Sequence, residues 1–102
     1  MEEVKIVGIE DGALKIVLSG DIDLGNAEAF YQAVSEAYAQ TPSNISFDCA
    51  NLNFIDSTTL GTFVKVLKTA KTDGNGVRLT GLQPKIKKLF LICSLDSVMQ
   101  ID

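Results

Sequence analysis

Asn53-Phe54-Ile55-Asp56-Ser57-Thr58-Thr59-Leu60-Gly61 follows a short apolar, strand-like run and opens the clearest helical pattern in the chain. Strand hands over to helix at Asp56-Ser57. Both residue types suit a helix N-cap, because their side-chain oxygens accept hydrogen bonds from amides that have no partner inside the helix. Those same amides and the helix dipole make the spot electrically positive, so it tolerates a phosphate as well as a cap. The residues alone leave both roles open. The helix that follows is expected to carry Leu60, Phe63, Val64, Leu67 and Ala70 on one stripe, with Thr62, Lys65, Lys68, Thr69 and Thr72 mostly outward. Asp73-Gly74-Asn75-Gly76 stops it, since glycine accepts the left-handed conformation at a helix end.

Upstream, Val4 to Ile9 reads as a strand, Glu10-Asp11-Gly12 as a hairpin turn, and Ala13 to Ser19 as the antiparallel partner. Gly20-Asp21-Ile22-Asp23 breaks that alternation. A helix begins near Asn26 with Ala27, Phe30, Tyr31, Val34 and Tyr38 on one face, and Thr41-Pro42-Ser43-Asn44 ends it. Ile45 to Cys49 alternates as a third strand, with Ala50 to Ile55 read as a connection that tucks Leu52 and Phe54 under the sheet edge. Downstream, Val77 to Thr80 is a fourth strand, and Ile86, Leu89, Phe90 and Cys93 line a third helix. Ser97 to Ile101 is a short edge strand. The order ββαβαβαβ predicts an α/β fold in a single domain over residues 1–102: one mixed sheet of four to five strands with helices packed against it.

Composition narrows the function classes. The chain has 102 residues and a net charge of −4, which disfavours nucleic acid, whose binding depends on many Lys and Arg contacts to phosphate. There is no histidine, so Ser-His and Cys-His nucleophile pairs and the commonest metal ligand are missing. Cys49 and Cys93 sit far apart in apolar segments, which reads as buried reduced thiols and not as a metal site or a disulfide. No phosphate-binding Gly-x-x-x-x-Gly-Lys loop occurs. No cofactor, metal or catalysis is expected. The acidic start lacks the apolar core of a signal segment, and no run spans a bilayer; a cytoplasmic monomer without membrane insertion is expected. Lys85, Lys87 and Lys88 form the one basic cluster, either a solvated surface or a contact to a partner or anionic lipid.

Three pieces of this sequence, Gly20-Asp21-Ile22-Asp23, Phe54-Ile55-Asp56-Ser57 with Leu60-Gly61, and the Pro84 to Leu95 segment, together resemble the STAS domain family, specifically its stand-alone anti-sigma factor antagonists. The resemblance covers essentially the whole chain. It implies that Ser57 is phosphorylated by a partner serine kinase that is also the anti-sigma factor, and reset by a serine phosphatase. It implies that Asp23 and Asp56 surround the phosphoacceptor. Asp21, Thr58, Thr59 and Gly61 complete the expected phosphosite environment and partner surface. Unphosphorylated, such a protein binds the kinase and frees the sigma factor. Similar members carry Gly where this chain has Thr59. The branched side chain is expected to crowd a docked partner and to add a third hydroxyl beside Ser57 and Thr58. A phosphate on Ser57 is expected to reach the amides of Thr58, Thr59 and Leu60. The alternative is a STAS subunit of a membrane lipid or anion transport complex, or a signalling scaffold, in which Ser57 is only a helix cap.

Overall fold

Asp11 and Gly12 both take positive φ, 53° and 81°, the conformation a two-residue hairpin turn demands at its central positions. In the computed structural model, which describes residues 1–102, they join β1 (Val4–Glu10) to β2 (Ala13–Ile22) in an antiparallel pair. From β2 onward every connection is a crossover: α1 (Ala27–Gln40) leads to β3 (Asn44–Ile55), α2 (Ser57–Thr72) to β4 (Val77–Thr80), and α3 (Pro84–Ile92) with a 3-10 turn at Leu95–Ser97 to β5 (Gln100–Ile101). These strands pair in parallel, and the sheet order is β1-β2-β3-β4-β5. Each crossover steps one strand in the same direction, so the right-handed rule places all three helices on one face. Burial follows. Leu14, Ile16, Leu18, Ile45, Phe47, Cys49, Val77 and Leu79 are buried under the helices, while Lys15, Ser46, Asp48, Arg78 and Thr80 are exposed or half-buried on the bare face.

The core closes on four rings. Phe30 of α1, Phe63 of α2 and Phe90 of α3 are fully buried with Phe47 of β3, and their centroids lie 5.1 to 6.1 Å apart in tilted or edge-on contacts. Phe30 and Phe63 meet Phe47 of the central strand directly and Phe90 joins through Phe63; burying each such side chain contributes about 1.5–3 kcal/mol.

Several expectations are corrected. Ala50 to Ile55 is no connection but the second half of β3, paired with β2 as far as Ile22↔Ile55. Register shifts between Val17 and Ser19 and between Gly20 and Asp21 insert extra residues, so the buried positions after Cys49 fall at Leu52 and Ile55 and the alternation is lost. Leu52 is buried as expected, but Phe54 is exposed. On α2 the buried stripe contains Thr59, Thr62 and Val66 in addition to Phe63, Leu67 and Ala70, with Val64 half-buried. Thr62 is tolerated inside because its Oγ1 donates to the Thr58 carbonyl at 3.1 Å. On α3 only Ile86 and Phe90 are buried; Leu89 and Cys93 are exposed. Cys49 is buried, and burial first, with neighbouring Asp48 second, pushes its thiol pKa up to about 12, as suits an inert apolar side chain. Finally, the last strand is only Gln100–Ile101, with Ser97 closing the 3-10 turn before it.

Candidate functional site

Parallel register brings the candidate residues together. Ile22 and Ile55 are direct partners, so β2 and β3 leave the sheet side by side, and the segment from Asp23 lies next to Asp56. Both strands are followed by helices, and both helix starts face the same end of the sheet.

Asp56 is the N-cap of α2, in extended backbone geometry with φ −110° and ψ −175°. Its Oδ1 accepts from the Thr59 amide at 2.9 Å and its Oδ2 from the Leu24 amide at 2.8 Å. One carboxylate therefore caps α2 and ties down the loop that precedes α1. The Thr59 amide is the largest influence on its acidity, opposed by desolvation and reinforced by the Leu24 amide and the Thr59 hydroxyl, and the carboxyl titrates below its ordinary range. The loop is itself ordered around Asn26, whose Oδ1 accepts from the Asp23 amide at 2.8 Å and whose Nδ2 donates to the Asp21 carbonyl at 3.0 Å. Asp23 Oδ1 accepts from the Gly25 amide at 2.9 Å, an Asx-type turn.

Ser57 is the first residue of α2 and Thr58 the second; both are exposed, and neither hydroxyl makes a hydrogen bond. The cap is Asp56, so the view of Ser57 as only a helix cap is corrected. The amides of Ser57 and Thr58 have no hydrogen-bond partner, whereas the Thr59 amide bonds the Asp56 side chain and the Leu60 amide the Asp56 carbonyl at 3.1 Å. Of the three amides expected to be free, only that of Thr58 is; those of Thr59 and Leu60 are already bonded, and the second free amide is that of Ser57.

Thr59 does not project toward a partner. It is fully buried, with Oγ1 donating to the Ile22 carbonyl at 2.6 Å and lying 3.1 Å from Asp56 Oδ1. The expectations that it crowds a docked chain or offers a third accessible hydroxyl are both corrected, because the helix start turns this position toward the end of β2. Gly61 is the open position: a Cβ there would meet nothing within 4 Å. Leu24, Glu28, Ser57, Thr58, Gly61 and Lys65 line a shallow groove across the two helix starts. Asp21 is exposed, and its carboxylate makes no hydrogen bond to this turn. Sequence reasoning passed over Asn26 as an organiser, although an Asn three residues after an Asp is a loop-closing signal, and over Leu24, Glu28 and Lys65, which only the crossover geometry brings to Ser57. No group of three or more Cys, Asp or Glu side chains is placed to hold a metal ion.

The STAS domain family model matches residues 5–102. The anti-sigma-B factor antagonist of Bacillus subtilis strain 168 is 25% identical over 88 residues, spanning 86% of this chain and 80% of that protein. An anti-sigma factor antagonist from Mycobacterium paratuberculosis superposes with a TM-score of 0.81 at 23% identity, covering 96% of this chain and 82% of that one. The Bacillus cell fate determinant SpoIIAA in its phosphorylated form superposes with a TM-score of 0.72 at 19% identity, over 97% of this chain and 90% of its own.

Proposed function

Because the chain belongs to the STAS domain family, we propose that it is an anti-sigma factor antagonist: a binding module that, unphosphorylated, engages an anti-sigma factor serine kinase and frees the sigma factor, and that a phosphate on Ser57 switches off until a serine phosphatase removes it. The module acts in the cytoplasm, as a substrate and ligand of other proteins' active sites and not as a catalyst. No helix is long and apolar enough to cross a membrane. The observation that carries the reading is Ser57 itself: an exposed hydroxyl without an intramolecular bond, set beside two vacant amides on a turn that Asp56 holds in place. The curated relative and the phosphorylated structural relative support the same reading.

The switch works through local charge. A phosphate adds roughly −1.5 to −2 charge at neutral pH, and the amides of Ser57 and Thr58 receive some of its oxygens, so the fold persists. Asp56 and Asp23 already make the neighbourhood negative. Two unit charges 4 Å apart near a surface interact by about 4 kcal/mol, and about 1.4 kcal/mol is tenfold in affinity. Even screened, a phosphate facing a closely docked partner weakens binding by a decade or more. Incubation with the serine kinases of the source genome and ATP, followed by mass-spectrometric mapping, tests this. Ser57→Ala is expected to abolish labelling and keep binding, and Ser57→Asp to weaken binding. Label persisting on Thr58 in Ser57→Ala would move the site by one residue; absence of label with every kinase would sink the switch.

A further inference from the structure

Helix α3 opens with Pro84-Lys85-Ile86-Lys87-Lys88 and has no acidic residue in its first turn. Three ammonium groups at the positive end of a helix dipole are electrostatically uphill. None of them has an ion-pair partner; the chain's two ion pairs are Lys15–Glu10 and Arg78–Asp102. The same helix leaves apolar surface uncovered. Leu89, Leu91 and Ile92 are exposed, Ile92 by 69%, and so is Phe54 at the end of β3, by 47%. Phe54, Ile55, Lys85, Ile86 and Leu89 line a small apolar slot between β3 and α3. Gln83 Nε2 donates to Asn53 Oδ1 at 3.1 Å and fixes the helix start against that strand end.

Stability of the isolated chain accounts for neither the lysines nor the bare apolar rim, and local choices that oppose the fold mark function. We infer that the first turns of α3 and the Phe54–Leu89 slot form a second docking contact for the anti-sigma factor, which presents to it an acidic segment carrying one apolar anchor side chain; this rests on the antagonist reading. Unpaired Lys85 and Lys88 select carboxylates, and the slot takes the anchor. The contact is continuous with the switch, since Phe54 lies three residues before Ser57 on the chain that runs into α2. The docking surface is therefore two-signed, acidic around Asp23 and Asp56 and basic on α3, which fixes the partner's orientation. An anionic membrane would also attract lysines, but a flat surface does not use a slot, and a chain of net charge −4 is repelled by it.

The test uses the purified kinase that labels Ser57, with calorimetric titration at low and high salt against the wild type, Lys85→Glu/Lys88→Glu and Phe54→Ala. The charge reversal is expected to lower affinity about tenfold at low salt and less at high salt. Phe54→Ala is expected to lower it about fivefold at either salt. The reversal is also expected to raise Tm by roughly 4 °C, since acids replace cations near a helix start; a variant that folds more stably yet binds worse separates docking from structure. Unchanged affinity in both variants, with wild-type binding and Ser57 labelling intact, overturns the contact and leaves the antagonist reading standing. A wild type that binds no kinase overturns both. Wild-type co-sedimentation with phosphatidylglycerol/phosphatidylcholine vesicles, lost on charge reversal while kinase affinity holds, overturns the protein contact in favour of a membrane one.

Discussion

Helix α2 has an aspartate at each end, and each reaches toward the α1 side of the molecule, but the two ends are built oppositely. At the start, Asp56 faces the positive end of the dipole and is met by backbone amides, from Thr59 at 2.9 Å and Leu24 at 2.8 Å. At the finish, Asp73 is the C-cap, where a carboxylate meets the negative end of the dipole. There it accepts a hydrogen bond from the Tyr38 hydroxyl at 2.8 Å, which in turn accepts from Asn75 Nδ2 at 2.9 Å. The first arrangement uses up some amides, leaves two vacant and exposes a hydroxyl beside them. The second closes on itself. A new negative charge is accommodated at the first end and opposed at the second, which is why the proposed phosphate is assigned to the start of the helix.

The largest expected effect comes from breaking the first end at its buried bond. Thr59→Val keeps shape but leaves the Ile22 carbonyl without its donor, and loss of a buried partner costs about 1–3 kcal/mol. Urea denaturation should show that loss. An unchanged midpoint would mean the strand end and helix start are held by Asp56 alone. Next is Tyr38→Phe at the second end, expected to cost about 1 kcal/mol for the lost hydroxyl bonds. Burial first, and the Asp73 carboxylate as well, raise the Tyr38 pKa above 10.0, against a lowering by Asn75. With the folded pKa raised, this contribution is full below pH 10.0 and is lost as pH climbs through the folded value. Melts across alkaline pH should therefore fall more steeply for the wild type than for Tyr38→Phe.

Acid probes the first end in the opposite sense, and more weakly because Asp56 is solvated. Its folded pKa is depressed below 3.8, chiefly by the Thr59 amide. Its contribution is therefore present above pH 3.8 and fades as pH falls through the folded value. The difference in Tm between wild type and Asp56→Asn should shrink below that pH; a difference constant with pH would show that the bonds made by the ionised carboxylate do not matter.

Much of this was readable from residue types. Asp11-Gly12 specified the hairpin because both positions need positive φ, and the 3.6-residue pattern around Phe30, Phe63 and Phe90 gave three helices and three of the four core rings. The membership of Asp23 and Asp56 in one site came from a resemblance; the structural cause, the Ile22↔Ile55 register, lies in pairing that a linear reading does not contain. Ala50 to Ile55 was misread because two register shifts replace alternation with a spacing of three between Leu52 and Ile55. Thr59 and Thr62 were misplaced since a hydroxyl that bonds a carbonyl can be buried at little expense. Leu89 and Cys93 looked inward because apolarity alone does not say which residues of a short helix face the core; only Ile86 and Phe90 do.

The smallest effect sharpens the contrast most. Ser57→Ala should change stability by no more than about 0.5 kcal/mol, since an exposed side chain without bonds contributes little. Ser57→Asp should be neutral or stabilising by about 0.3–1 kcal/mol at low ionic strength, because the negative charge sits in the first turn of a helix. The gain should diminish in high salt, where the dipole and the repulsion from Asp56 are both screened. Thermal melts at two salt concentrations resolve this. Two hydroxyls two residues apart would then divide the work: Thr59 fastens the helix start and is unavailable, while Ser57 fastens nothing and is free to be modified. If Ser57→Ala destabilises as much as Thr59→Val, Ser57 has a structural duty, and modifying it would perturb the turn along with any docked partner.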